Sequence, residues 1–267
     1  MIKLAVIGKD VSKSTSPEIH NFIASELGLE ISYEKISVPE EQFESRIDGL
    51  IKTYDGFNVT IPYKLSVIPH LKSTEGDATA FGAVNTVLTS TLTGYNTDGL
   101  GFMQMLNSEG VKVKGCEVLL LGAGGAGRSV AKKLSDAGAY VDIYDRNFTN
   151  AESVAAQFAS VSALKEVAPK KRKLIVNATG VGMHKTEGLS PVGAEIIEGC
   201  EVAVDLIYVP EKSEFLRIAE DLGKKIINGR AMLFYQAYYS DCIYFGLNPS
   251  PEIAAKLFKK YLKEVVK

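Results

Sequence analysis

Apolar residues in the first hundred positions come in short bursts whose spacing alternates between strand and helix. Leu4-Ala5-Val6-Ile7 is a continuous apolar run closed by Gly8 and predicts a short buried strand. Ile19, Phe22, Ile23 and Leu27 then recur at helical spacing. Ser16 ahead of them is a favourable N-cap, Pro17 suits the first helical position, and Gly28 supplies a stop. Residues 31–38 predict a strand. Pro39 opens a second helix with Phe43, Ile47, Leu50 and Ile51 on one face. Residues 56–60 and 83–88 read as further strands, with 92–95 pairing back as a hairpin.

From residue 111 the texture becomes a regular βαβ alternation. Residues 117–121 predict a buried strand, 128–137 a helix and 140–144 the next strand, followed by a helix through Val154 and Phe158. Residues 174–178 and 202–207 are two more apolar strand cores. This alternation predicts the α/β class, with a parallel sheet covered by helices. Beyond Ala231 the pattern is helical again. Ile253, Leu257, Phe258, Tyr261, Leu262 and Val265 share one side of the last helix, interleaved with lysines. A core-facing helix with a solvated lysine face fits that composition better than a membrane-surface helix.

Composition narrows the class without choosing the chemistry. A chain of 267 residues suggests two domains or one large α/β domain, and 46% hydrophobic with 23% charged residues excludes a wholly disordered chain. Thirty Lys+Arg against 32 Asp+Glu leave a net charge of −2, which favours neither nucleic acid nor an anionic membrane as a partner. Cys116, Cys200 and Cys242 form no CxxC pair, and His20, His70 and His184 are scattered. A disulfide scaffold or cysteine-built zinc site is therefore not expected. A metal-free, cytosolic protein is the expectation, as a monomer or homodimer.

The first chemical signal is Gly122-Ala123-Gly124-Gly125-Ala126-Gly127, which matches GxGxxG between a predicted strand and a predicted helix. The first glycine permits the tight turn, the second lets backbone approach a pyrophosphate, and the third brings helix and strand together. The alternative is a glycine turn that only packs a helix on a sheet. At the end of the next strand stand Asp145, Arg146 and Asn147. An acid here suits a ribose 2′-OH, and an arginine suits a 2′-phosphate, so the sequence points to both NAD and NADP.

The second signal is a set of polar clusters at predicted strand ends. Ser12 to Ser16 puts hydroxyls before a helix, where they cap it or bind a carboxylate or polyhydroxylated ligand. In Asn58-Val59-Thr60-Ile61-Pro62-Tyr63-Lys64, Asn58 and Thr60 share a face and Lys64 stands at the start of a predicted helix. Asn85, Asn96 and Asp98 fall in turns. Taken singly, Lys64 reads as a solvated charge and the asparagines as turn residues.

Taken together, these segments resemble the shikimate/quinate dehydrogenase family. The matching pieces include Ser14 to Asn21, Asn58 to Lys64, Gly82-Ala83-Val84-Asn85-Thr86 and Gly94-Tyr95-Asn96-Thr97-Asp98-Gly99. The glycine loop, Asn177-Ala178-Thr179, Asp205 to Pro210, and Asn228 to Leu233 with Gln236-Ala237 complete the set, in order along almost the whole chain. The resemblance implies reversible reduction of 3-dehydroshikimate to shikimate by NADPH. It also implies a substrate domain over 1–100, a Rossmann-type doubly wound domain over 101–231, and C-terminal helices over 232–267 that return to the first domain. Lys64 and Asp98 match the family's catalytic pair. Ser14, Ser16 and Tyr208 would hold the substrate carboxylate, and Asn58, Thr60, Asn85, Asp98 and Gln236 its ring hydroxyls. Gly122, Ala123, Gly124, Gly125, Ala126, Asp145, Arg146, Asn147, Leu206 and Gly229 fall where the family binds its cofactor. The family's usual Asn-Arg-Thr is Asp145-Arg146-Asn147 in this chain, which leaves NAD open beside NADP, and with it a quinate-oxidising relative. A non-catalytic nucleotide-sensing module is a further alternative, but it would have no need of the Lys64–Asp98 pair.

Overall fold

The computed structural model describes residues 1–266, apart from the side chains of Phe81 and His184. The chain divides into two compact units, one of residues 1–104 with 234–267 and the other of residues 105–233.

The first unit opens with β1 (Ile2–Gly8), α1 (Ser16–Glu26), β2 (Ile31–Ser37), α2 (Phe43–Thr53) and β3 (Gly56–Val59). Next come β4 (Ser73–Thr74), α3 (Asp77–Phe81), the β5 (Thr86–Leu88)–β6 (Thr93–Tyr95) hairpin, and α4 (Asp98–Ser108). The sheet order is β2-β1-β3-β5-β6-β4, with β1 parallel to both neighbours and β5 antiparallel to β3 and β6. Side chains alternate across a strand, so the apolar run of β1 serves two cores. Ala5 and Ile7 pack with Phe43, Ile47 and Phe57 on one side, while Leu4 and Val6 pack with Tyr33 and Tyr244 on the other. Asn58 lies between Phe57 and Val59 of the first core, so alternation sends its amide to the second side.

The second unit contains β7 (Glu117–Leu121), α5 (Gly125–Asp136), β8 (Tyr140–Tyr144), α6 (Phe148–Ala155), β9 (Val161–Leu164) and β10 (Arg172–Asn177). It continues with α7 (Ala194–Ile197), β11 (Cys200–Asp205), α8 (Glu214–Asp221) and β12 (Lys225–Ile227). All pairings in this sheet are parallel and the order is β12-β11-β10-β7-β8-β9. That is the order of the doubly wound dinucleotide-binding fold, with its switch point between β7 and β10. The α/β expectation is met.

The chain then forms α9 (Arg230–Phe245) and α10 (Pro251–Glu264), and the residues from 234 onward belong to the first unit. Tyr261 of α10 is buried, its ring lies 5.3 Å from Phe22 and 5.1 Å from Phe234, and its hydroxyl donates to Glu18 Oε1 at 2.7 Å. The last helix is therefore core-facing, although Ile253 and Leu262 from its predicted apolar side are exposed. No helix among the described residues is long and apolar enough to cross a membrane.

Three local readings change. Ser16 is the first residue of α1, not its cap; Thr15 stands at the cap position, and the Ser16 N–H donates to Ser14 Oγ. Lys64 does not open a helix: residues 61–67 form turns. Val84 N–H donates to the Lys64 carbonyl and Ile68 N–H to that of Leu65, so no helical ladder extends from Lys64. Asp98 opens α4 rather than falling in a turn, because its N–H donates to Asn96 Oδ1 and the helix starts there.

Replacing Tyr261 by alanine removes a buried ring and is expected to cost about 3–5 kcal/mol of stability. Tyr261→Phe, which loses only the bond to Glu18, should cost about 1 kcal/mol. Urea unfolding checks both; a loss below about 1 kcal/mol for the alanine variant would contradict the docking of α10.

Candidate active site

The polar residues of the first unit form a connected hydrogen-bond chain. At one end, Ser14 Oγ donates to Ser16 Oγ at 3.0 Å, with Ser16 next to the Tyr33 phenol. Burial and the nearby Asp241 raise the Tyr33 phenol well above its ordinary range, so it keeps its proton and donates to Asn58 Oδ1 at 2.7 Å. At the other end, Lys64 Nζ donates to Asp98 Oδ2 at 2.5 Å, with both side chains largely buried. Asp98 Oδ1 accepts from Asn85 Nδ2 at 2.8 Å. Asn85 also donates to Thr97 Oγ1 at 2.9 Å, accepts from the Thr97 N–H, and lies 3.3 Å from Gln236 Oε1.

In the middle of this chain the motif residues Asn58 and Thr86 meet Ser240, which no sequence motif contains. Asn58 and Thr86 are cross-strand partners on β3 and β5 and so present their side chains to the same face. That face meets α9. Asn58 Nδ2 reaches Ser240 Oγ at 3.1 Å and the Asn85 carbonyl at 3.2 Å, and Thr86 and Ser240 hydroxyls are 2.8 Å apart. The Asn58 amide is thus spent on internal partners, its oxygen on Tyr33 and its nitrogen on Asn85 and α9. Thr60 is only half-buried, its N–H donating to the Ile7 carbonyl. His20 Nδ1 pairs with Asp241 Oδ1 at 2.6 Å, both fully buried, and His20 stacks on Tyr33 at 4.4 Å. Burial pushes the Asp241 carboxyl up, opposed by His20.

The predicted cofactor residues all lie in the second unit, as does Tyr208, three residues beyond β11. Gly122 takes φ +100°, and its N–H donates to the Tyr144 carbonyl at 2.7 Å. A Cβ on Gly127 would sit 2.1 Å from the Gly122 carbonyl oxygen, so that position accepts only glycine without a backbone shift. Gly124 is exposed with open space around it and precedes α5, whose first-turn N–H groups have no helical acceptor. This is a cradle for an anion, and it fits a dinucleotide pyrophosphate. Gly229 is equally confined, its would-be Cβ 2.0 Å from the Leu206 oxygen.

Asp145 turns back toward the glycine loop. Its Oδ2 accepts from the Ala123 N–H at 2.8 Å and its Oδ1 from the Asn147 N–H at 2.9 Å. Arg146 is exposed, and the Asn147 side chain caps α6 by accepting from the Thr149 N–H. Under the strand ends, Asp205 Oδ1 accepts from Asn177 Nδ2 and the Ile207 N–H, and Oδ2 from Ser213 Oγ. Desolvation nevertheless pushes its carboxyl up to about 6, past the opposing effect of those donors. Among the described residues no cluster of three or more His, Cys, Asp or Glu could hold a metal.

Residues 6–87 match the model of the shikimate dehydrogenase substrate binding domain, and residues 104–181 that of shikimate / quinate 5-dehydrogenase. A shikimate dehydrogenase (NADP(+)) of Thermus thermophilus is 38% identical, over 94% of this chain and 95% of the relative. The crystal structure of shikimate 5-dehydrogenase from another strain of Thermus thermophilus, in complex with NADP(H) and shikimate, is similar at TM-score 0.86 and 37% identity. The match covers 97% of this chain and 99% of that one. Shikimate dehydrogenase 1 from Peptoclostridium difficile gives TM-score 0.88 at 32% identity, with 97% of each chain covered.

The raised Asp205 carboxyl has a definite pH signature. Below about pH 4 the folded and unfolded chains both hold this proton; between about 4 and 6 only the folded chain does. The stability it contributes is complete below about pH 4 and is lost as pH rises through about 6. Asp205→Asn removes that loss, so the unfolding free energy of the variant should gain on the wild type by roughly 2–3 kcal/mol between about pH 4 and pH 7. Denaturant titrations at both pH values check it; a constant difference would contradict the raised carboxyl.

Proposed function

This chain belongs to the shikimate dehydrogenase family, and from that premise we propose how its residues perform the reaction. It is an NADP-dependent shikimate dehydrogenase, an oxidoreductase that interconverts 3-dehydroshikimate and shikimate in aromatic amino-acid biosynthesis. The observation that carries the mechanism is the Lys64–Asp98 pair, locked by Asn85 and connected through the buried Asn58 amide to Tyr33.

NADPH, when bound, supplies a hydride to the ring carbonyl carbon of 3-dehydroshikimate. Negative charge then gathers on the carbonyl oxygen. Lys64 donates an N–H bond to that oxygen, stabilises the developing alkoxide and passes it a proton; in the oxidative direction Lys64 Nζ takes the proton from the C–OH group. Asp98 keeps Nζ in place by accepting its hydrogen bond on Oδ2, and Asn85 fixes the carboxylate by donating to Oδ1. Ser14 and Ser16 hold the substrate carboxylate. Thr60, Asn85, Asp98 and Gln236 bind ring hydroxyls. Asn58, whose amide is committed internally, is assigned to orienting its neighbours.

On the cofactor side, Gly124, Gly125 and Ala126 offer backbone N–H groups to the pyrophosphate, Gly122 shapes the turn, and Leu206 and Gly229 line the strand ends. Ala123 spends its N–H on Asp145. Arg146 suits the 2′-phosphate because its planar fork matches phosphate oxygens. Asp145 favours a second reading in which NAD also serves, since its carboxylate suits a ribose 2′-OH and opposes a phosphate.

Two experiments follow from this assignment. Lys64→Ala should lower kcat by about 10²–10⁴-fold, with shikimate KM changing far less. Asp98→Asn should lower kcat as well; an effect confined to KM would make Asp98 a binding group only. A kinetic matrix of shikimate and quinate, each with NADP and NAD, tests the substrate and cofactor readings. Shikimate with NADP should give the highest kcat/KM, and efficient quinate oxidation with NAD would overturn the assignment. In the same matrix, Arg146→Ala should raise the NADP KM by about 10–100-fold and leave that for NAD nearly unchanged. Asp145→Asn should shift the preference further toward NADP.

A further inference from the structure

Ser240 lies on α9 with none of its surface exposed, one helical turn beyond Gln236. Its hydroxyl is within hydrogen-bond distance of Asn58 Nδ2 (3.1 Å), Thr86 Oγ1 (2.8 Å), Thr97 Oγ1 (3.1 Å) and the Gln236 carbonyl (2.9 Å). A hydroxyl has one proton and two lone pairs, so these contacts limit one another. One assignment puts a proton on each of the shortest contacts of Ser240. Ser240 donates to the Gln236 carbonyl and accepts from Thr86 and Asn58. Thr97 Oγ1 donates toward Asn85 Oδ1 at 3.3 Å, and Asn85 Nδ2 serves Thr97 and Asp98.

Resting on the proposed function, we infer that Ser240 is a positioning residue for shikimate: it sets the orientation of the Asn58 and Asn85 amides, and through Asn85 that of Asp98. The neighbouring residue acts on the same amide from its other end. Asp241 pairs with His20, His20 stacks on Tyr33, and Tyr33 donates to Asn58 Oδ1. Consecutive residues of α9 thus hold both ends of Asn58.

Without the Ser240 hydroxyl the cluster has a ready alternative. Thr86 Oγ1 has Asn85 Oδ1 at 2.8 Å, and Asn58 Nδ2 has Thr86 Oγ1 at 3.3 Å. The freed Thr86 proton then competes with Thr97 for Asn85 Oδ1, so the loss reaches Asp98 and Lys64 while the helix stays folded. A serine that only stabilised the core would leave substrate kinetics unchanged.

The test is steady-state kinetics of the full-length Ser240→Ala and Ser240→Cys variants. Ser240→Ala should lower kcat/KM for shikimate about tenfold, with a higher shikimate KM, a reduced kcat and an NADP KM within about twofold of wild type. Ser240→Cys, which keeps a weaker donor and acceptor, should fall between. Shikimate KM and kcat within about twofold of wild type in Ser240→Ala would overturn the inference, as would equal losses toward shikimate and NADP. If the alanine variant does not fold, a wild-type shikimate KM in the cysteine variant overturns it instead. A wild-type enzyme without shikimate turnover would overturn the functional reading itself and this inference with it, whereas an active wild type with indifferent variants overturns the inference alone.

Discussion

A primary amide removed from water carries two donor hydrogens and an acceptor oxygen, and leaving one unmet costs about 1–3 kcal/mol. The first unit buries Asn58 and Asn85 side by side at the end of its sheet. Each must find its partners at once, and the partners come from β2, β5, α4 and α9 rather than from one local turn. Satisfying the amides therefore fixes how the sheet and the helix meet. The Lys64–Asp98 pair inherits its geometry from that arrangement, because Asp98 Oδ1 is held by Asn85. The buried His20–Asp241 pair fits the same logic. His20 Nε2 and Asp241 Oδ2 have no protein partner, so desolvation offsets much of the Coulomb gain. What the pair supplies is the placement of Tyr33.

The second unit solves a different problem with the same economy. Six parallel strands bring their carboxyl ends to one edge, where backbone groups leave the ladder and must be capped. Asp145 takes up the Ala123 N–H of the glycine loop, and Asp205 takes up Asn177, Ile207 and Ser213 below it. Both carboxylates shape the backbone around the cofactor loop. Asp145 does so at a position where its charge also bears on the choice of nucleotide.

Period-2 and period-3.6 apolar patterns made most of the large elements legible, including β1, β7, β8 and the βαβ alternation. The short pieces β4, β9 and β12 were not, because a few residues carry too little periodicity. The glycine loop declared itself through spacing, since confinement at Gly122 and Gly127 demands glycine locally. Lys64, Asn85 and Asp98 needed the whole set of motifs, as each alone is an ordinary polar residue in a turn. Ser240, Asp241 and Tyr33 carried no signal at all. Ser240 meets Asn58 across 182 positions and Asp241 meets His20 across 221, so only the fold reveals the pairings.

The chain passes from the first unit to the second inside α4, between Gln104 and Met105, and returns inside α9, between Leu233 and Phe234. Phe102, Met105, Leu106 and Phe234, close to these passages, are all fully buried. A nucleotide-binding half lifted out for grafting onto another catalytic partner would carry two severed helices, with apolar side chains bared at each cut. Modular exchange in this architecture has to trade whole helices, and a recombination joint that respects only the sheet boundaries would yield a chain prone to aggregate.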